Sequence, residues 1–366
     1  MTLMSKCAVI TDIRKLELRE YPVPEIGDDD GILKVDMVGV CGSDPEMFRG
    51  KSPCNMPFIP GHEITGTIYK IGKRKAKLSG VKEGDRVVVE NRFGCGVCKH
   101  CLQGNYNKCV DSRGYGVFLS VDEEPHLWGA YSEYLYLPPR AMIHKIDPSV
   151  PMEAACLTTS VLGNCVHWAI ERGNVTVGDT VVISGPGQQG LASTVVCKEA
   201  GASTVIVLGT SQDKRRLDMA KELGADYTVN IEETDPVEFV KNLTGGDGAD
   251  VFLDMSGNAK SLAIAPDCTR IFGTISTPGQ YGMNKEVPII MDKIIRKEIN
   301  LNGCHAQSYH SNEVAVKIIE SRKYPLEKLV THKFKLEDAE KAILTAGREI
   351  PGEDPIKVVI TPNGEN

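Results

Sequence analysis

The sequence predicts a two-domain α/β protein: a β-rich, barrel-like domain and a doubly wound parallel sheet. Three observations carry that expectation. The chain has 366 residues, and at roughly 100–200 residues per domain it suits two domains. Its first half holds short β-branched runs, such as 32–40, 66–71 and 86–90, punctuated by Gly and Pro. From Asp179 onward, strand-like and helix-like runs alternate, as they do where parallel strands are joined by crossover helices.

Past Pro151 the stretch 152–172 reads as helical, and the alternation then opens with the apolar strand Thr180–Ser184. A helix over 191–200 stops at Gly201, and Thr204–Gly209 supplies the second strand. The run 213–223 is helical, with Leu217, Ala220 and Leu223 spaced for one face. Gly224 follows, where left-handed backbone ends a helix. A third strand spans 227–231. Asp235 then caps a helix whose first position is Pro236, a residue with no N–H to leave unsatisfied. Strands at 251–256 and 270–275 continue the series. Beyond about residue 303 the pattern is mixed, ending in a strand at 356–361.

Composition narrows the function. Hydrophobic residues make up 41% and charged residues 25%, an ordinary globular mixture that excludes disordered and collagen-like chains. The net charge of −7 argues against a nucleic-acid binder, which needs a clustered basic surface. No apolar run approaches the roughly 18 residues of a spanning helix, so no membrane role is expected. Charges at Lys6, Asp12, Arg14 and Lys15 interrupt any secretory apolar stretch. Twelve cysteines without such a signal read as metal ligands and small buried hydrophobes, in a reducing, cytoplasmic setting.

Four of those cysteines, Cys95, Cys98, Cys101 and Cys109, fall within GCGVCKHCLQGNYNKC. Two successive Cys-x-x-Cys steps and a seven-residue loop let four thiolates converge on one ion. Four thiolates with no open position make a closed tetrahedral site, structural for zinc. An iron–sulfur run is the nearest rival, but it places its fourth cysteine after three residues and before proline, whereas Val110 follows Cys109 here. A nucleic-acid zinc ribbon is a second rival, disfavoured by the acidic balance.

GPGQQG at 185–190 lies between the first strand of the alternating series and its helix. In that context Gly185 permits the tight turn and Gly187 lets backbone approach a pyrophosphate. Gly190 lets the helix pack closely, while Gln188 and Gln189 open the helix N-terminus that favours the phosphate charge. A dinucleotide is therefore expected. NAD sites usually place a carboxylate near the end of the second strand. Here Gly209, Thr210 and Ser211 stand there, with Arg215 and Arg216 shortly after, so the charge pattern favours NADP over NAD. The basic residues also fit a solvated helix face, and Asp213 is within reach of a ribose.

Cys41 in GVCGSD and His62-Glu63 in PGHE add a thiolate, an imidazole and a carboxylate. With GDRV at 84–87, the cysteine lobe, GPGQQG, AKELGAD at 220–226 and THKFKLEDAEKAI at 331–343, the chain resembles the zinc-dependent medium-chain dehydrogenase/reductase family. The resemblance implies a GroES-like catalytic domain from both chain ends, 1–155 and 304–366, and a Rossmann domain over 156–303, with the active site at their junction. It also implies a homodimer or homotetramer. It places Cys41 and His62 on the catalytic zinc ligands, Glu63 on the glutamate that binds or shields that zinc, and Ser43 on the hydroxyl beside the substrate oxygen.

Two positions depart from the family pattern. Thr159 and Ser160 stand where a third zinc ligand is usual, and a neutral hydroxyl is a poor one. Glu46 stands where a relay histidine is common. The implied reaction is hydride transfer between an alcohol (secondary, polyol or sugar-like) and NAD(P). Zinc would activate the hydroxyl, Ser43 would take its proton, and Glu46 or water would carry it outward. A zinc-independent reductase on the same fold and a non-catalytic redox sensor are the alternatives.

Overall fold

A computed structural model describes residues 2–111, 113–282 and 285–364. They form two units, one of residues up to Ser160 together with those from Ile319 on, the other Val161–Ile318.

The first unit is built on a seven-stranded sheet. Its order runs Val330–Lys335, Lys357–Thr361, Gly31–Val40, Glu63–Ile71, Arg86–Val89, Ile143–Lys145, with Tyr134–Leu137 also pairing with Gly31–Val40. Leu33, Val35 and Val38 of Gly31–Val40 enter a core shared with Phe48, Phe58, Tyr115, Tyr131 and Ile343, the alternation shifting at an irregularity between Val35 and Met37. Only Lys34 and Asp36 of this strand are less than buried, as expected of a central strand. The final strand returns antiparallel to Gly31–Val40, with Val359 opposite Gly39. That pairing is why both chain ends belong to one unit. The strand expected at 66–71 begins earlier, at Glu63, because Glu63 itself pairs with Gly39.

The second unit carries a six-stranded parallel sheet in the order Tyr227–Asn230, Thr204–Gly209, Thr180–Ser184, Ala249–Asp254, Thr269–Thr277, Asn300–Gly303. Val182 lies between Ile206 and Phe252, and all three are fully buried, as expected of strands covered on both faces. The strand order reverses direction beside Thr180–Ser184, and in such sheets ligands bind outside the strand ends at that switch. Asp235 caps Pro236–Leu243 as its sequence suggests, accepting from the Val237 and Glu238 N–H groups. The expected helix at 213–223 forms over Lys214–Glu222, after a short 3-10 turn at Ser211–Asp213.

Both expected boundaries move. Residues 156–160 stay with the first unit, where Ser160 Oγ donates to the His62 carbonyl at 3.2 Å and the Cys156 thiol faces the Glu63 carbonyl. Residues 304–318 stay with the second unit. There Trp168 Nε1 donates to the Ala306 carbonyl at 3.0 Å, and Glu171 gathers Ser308 Oγ at 2.8 Å, His310 Nδ1 at 3.0 Å and His167 Nδ1. Burial works to raise the Glu171 carboxyl, but those bonds outweigh it and hold the group at about 2. A carboxyl depressed in the fold stabilises above its unfolded value of about 4.5, and that contribution fades as pH falls toward 2. Glu171→Gln is therefore expected to cost about 2 kcal/mol at pH 7, with the melting-temperature gap to wild type closing as pH drops from 5 toward 3. A gap independent of pH contradicts this.

Candidate active site and coenzyme site

Strand register assembles the first site. Gly39 pairs with Glu63, so Cys41, two residues beyond Gly39, and His62, one residue before Glu63, meet at the same end of adjacent strands. The Cys41 sulfur lies close enough to the His62 ring for its charge to act on it. Ser43 opens the short helix Ser43–Phe48 and places Oγ 3.4 Å from His62 Nε2. The other ring nitrogen, Nδ1, faces Asp44 Oδ1 at 3.6 Å. Asp44 is fully buried, and its Oδ2 accepts from the Cys41 N–H at 2.8 Å and from the Tyr131 hydroxyl at 3.1 Å. A carboxylate behind a ligating imidazole fixes its orientation and raises its basicity.

The electrostatics fit a cation. Burial disfavours a charged His62, yet the Cys41 thiolate and the Asp44 carboxylate outweigh it and lift the imidazole to about 9. Burial likewise raises the Asp44 carboxyl. Among the described residues, Asp44 Oδ1 and Glu63 Oε1 are the only buried carboxylate oxygens without a hydrogen-bond partner, and His62 Nδ1 joins them. His62 Nδ1 and Asp44 Oδ1 face each other just beyond hydrogen-bond range, so Glu63 Oε1 is the buried carboxylate oxygen left without a neighbour of opposite polarity.

Glu63 is held from the other side. Its Oε2 accepts from Lys357 Nζ, which also donates to the Val40 carbonyl at 3.1 Å, and both side chains are fully buried. Gly39 makes room for the pair, because a Cβ there would lie 2.8 Å from Lys357 Cε. Cys41, His62 and Glu63 therefore do not all converge within 4.8 Å; among the described residues only the four lobe cysteines do. Thr159 Oγ1 lies 3.5 Å from the Val89 carbonyl, and Ser160 bonds the His62 carbonyl, so backbone oxygens take both hydroxyls. Glu46 accepts from Arg49 at 2.7 Å, an ion pair that a relay step would have to break. Asp44 and Lys357 were not singled out by the sequence pattern. Asp44 lies beside Ser43 in the GVCGSD motif, whereas Lys357 has no local signal.

The lobe cysteines Cys95, Cys98, Cys101 and Cys109 bring their sulfurs within 4.8 Å of one another. Backbone N–H groups point at them: Cys98 N–H to Cys95 Sγ at 3.3 Å, Cys95 N–H to Cys109 Sγ at 3.2 Å. The Cys101 N–H helps hold Cys98 down to about 6, while burial pushes Cys101 up to about 12. Four thiolates this close ionise together only around a cation, which fits a closed zinc site.

In the second unit, Gly185 sits at φ +100° and Gly187 precedes Gln188–Glu199, a helix that starts three residues before the expected one. A Cβ on Gly187 would meet nothing within 4 Å, whereas one on Gly190 would strike the Gly185 carbonyl. The turn thus leaves open space at its second glycine and close packing at its third, as a pyrophosphate cradle requires. The Gln189 backbone carbonyl and side-chain oxygen each lie 3.2 Å from Cys165 Sγ. Of the residues expected at the ribose end, Gly209, Thr210 and Ser211 stand at the strand end and Arg215 is exposed. Arg216 is a correction: its side chain is 2% exposed and paired with Asp213 at 3.3 Å, a core group rather than a phosphate ligand.

A β-rich unit carrying a Cys/His/Glu constellation and a four-cysteine lobe, with a parallel sheet carrying a glycine turn, defines a GroES-like plus Rossmann dehydrogenase. Residues 27–148 match the family model of the alcohol dehydrogenase GroES-like domain, and 190–321 that of zinc-binding dehydrogenase. The chain is 36% identical to a probable alcohol dehydrogenase of Mycobacterium tuberculosis over 98% of both chains. It is 33% identical to a sorbitol dehydrogenase of Halalkalibacterium halodurans, over 94% of this chain and 95% of that one. The crystal structure of an alcohol dehydrogenase from Thermotoga maritima superposes with a TM-score of 0.91 at 29% identity, over 99% of this chain and 100% of that one. The chain belongs to the zinc-dependent medium-chain dehydrogenase family, oxidoreductases that act on CH–OH groups.

Metal-ligating histidines lose roughly 10–100-fold in metal affinity when their carboxylate partner is removed. Asp44→Asn is therefore expected to weaken zinc binding at His62 by that factor in chelator competition, and to leave the cysteine lobe unaffected. Undiminished affinity would place Asp44 outside the metal site.

Proposed function

We propose that the protein is a zinc-dependent dehydrogenase that moves a hydride between an alcohol and NAD(P), with secondary alcohols, polyols or sugar-like hydroxyl compounds as substrates. The observation that carries this reading is the meeting of Cys41 and His62 at adjacent strand ends, with the Asp44 carboxylate behind the His62 ring. Cys41 and His62 would hold a catalytic zinc, with Glu63 close behind. A zinc ion bound there supplies a Lewis acid that lowers the pKa of an alcohol, and a bound nicotinamide supplies the hydride acceptor.

The chain's own residues do the rest. Asp44 fixes the His62 ring so that Nε2 faces Ser43. The Ser43 hydroxyl receives the substrate proton. Because Glu46 is paired with Arg49, water carries that proton onward. Glu63, balanced by Lys357, stands next to His62 in the chain without adding net charge.

The zinc-independent alternative gains one specific support, since Thr159 and Ser160 are neutral hydroxyls directed at the Val89 and His62 carbonyls, and neither supplies an anionic third ligand. Metal analysis separates the readings: about two zinc ions per chain support zinc catalysis, about one leaves only the cysteine lobe filled. The family resemblance supports a homodimer or homotetramer. No described helix is long and apolar enough to cross a membrane, and all twelve cysteines are unpaired, which supports a reducing, cytoplasmic setting.

A panel of alcohols and polyols, run with NAD and with NADP and read by reduced-nicotinamide absorbance, tests the activity. Sustained production is expected, and none with any alcohol would leave only a binding protein. Cys41→Ser is expected to lower turnover by at least about a thousandfold while dinucleotide affinity and fold stay intact. Normal turnover in that variant would remove the ion from the reaction.

A further inference from the structure

The end of the second strand shows how this site chooses its coenzyme. Gly209 occupies the strand end where a carboxylate usually accepts the ribose 2′-hydroxyl. A Cβ on Gly209 would meet Leu217 Cδ2 and Pro186 Cγ at 3.0 Å and Asp213 Cβ at 3.2 Å, so the nearest acid comes from the following turn. Asp213 Oδ2 accepts from the Thr210 N–H at 3.1 Å and from Thr210 Oγ1 at 2.8 Å. A second acid arrives from the turn after the third strand. Glu232 Oε2 accepts from the Ser211 N–H at 2.9 Å. The turn is braced from behind, as Asn230 Nδ2 donates to Ser211 Oγ at 3.0 Å and Asn230 Oδ1 accepts from the Glu232 N–H at 3.2 Å.

Carboxylates thereby engage three donors at this strand end, the N–H groups of Thr210 and Ser211 and the Thr210 hydroxyl, and Arg216 is drawn onto Asp213, whereas Arg215 stays exposed. The adjoining cavity, about 410 Å³, is mixed rather than basic, with Lys214 set among Asp218, Glu233, Asn230 and Ser211. Lys214 itself pairs with Asp218 at 2.7 Å. Bonding to Ser211 holds the Glu232 carboxyl below its usual range, so it is ionised at neutral pH.

We propose that Glu232 sets the coenzyme choice: seated on the Ser211 N–H, its carboxylate accepts a free ribose 2′-hydroxyl and repels a 2′-phosphate, so that the protein selects NAD. This reverses the preference read from the local sequence, in which only Arg215, Arg216 and the missing strand-end acid are visible. It rests on the dinucleotide reading of the glycine turn. Glu232 is exposed and outside the core, so its replacement leaves the fold intact.

Calorimetric titration of the purified protein with NAD and NADP, in the absence of substrate, reads the choice directly. The wild type is expected to bind NAD at least tenfold more tightly than NADP. Glu232→Gln is expected to shrink that ratio at least threefold, mainly by tightening NADP. Glu238→Gln, which removes an exposed charge on the following helix outside the cavity, is expected to leave the ratio in place. Equal or tighter NADP binding by the wild type overturns the proposal. So does an unchanged ratio in Glu232→Gln, or an equal change in Glu238→Gln. Binding of neither nucleotide overturns it together with the dinucleotide reading.

Discussion

Lys357 is a fully buried ammonium, and the polar centre of the first unit is arranged around it. It lies under Glu63 and bonds the Val40 carbonyl, and so touches both strands whose pairing brings Cys41 to His62. Burying two charges is costly, and a pair that loses one partner forfeits roughly 3–5 kcal/mol. The fold therefore has to deliver the final strand to Gly31–Val40 with Lys357 in register. Gly39 is the matching constraint, since any side chain there would displace the pair.

Carboxylates organise both units, but in two different ways. Asp254 is fully buried and gathers Ser256, Ser261 and Tyr281, while Glu171 gathers two histidines and a serine. Those acids are satisfied and hold loops in place. Asp44 is bonded on Oδ2 and turns Oδ1 to the His62 ring, whereas Glu63 is bonded on Oε2 to Lys357 and has no hydrogen-bond partner on Oε1. A fold ordinarily pairs such atoms.

Much of the fold was legible from local pattern. The parallel series, the Asp235 cap and the glycine turn depend on neighbours within a few residues, where propensity and capping act directly. The motif residues Cys41, Ser43 and His62 were also legible, through GVCGSD and PGHE, although the strand that follows His62 begins three residues earlier than its pattern suggests. The roles of Glu46, Thr159, Ser160 and Arg216 were not. Each side chain's partner, whether Arg49, a backbone carbonyl or Asp213, depends on rotamer and packing that residue type does not specify.

The sequence by itself determined the two-unit architecture, the cysteine lobe and the presence of a dinucleotide turn, because spacing along the chain is enough to set each of them. Only the tertiary structure decided that Lys357 neutralises Glu63 across 294 positions and that Glu232 reaches back 21 positions to Ser211. Charge acts through space over a few ångströms. Whether an acid ends beside a lysine or a backbone N–H is settled when strands far apart in the chain become neighbours in a sheet.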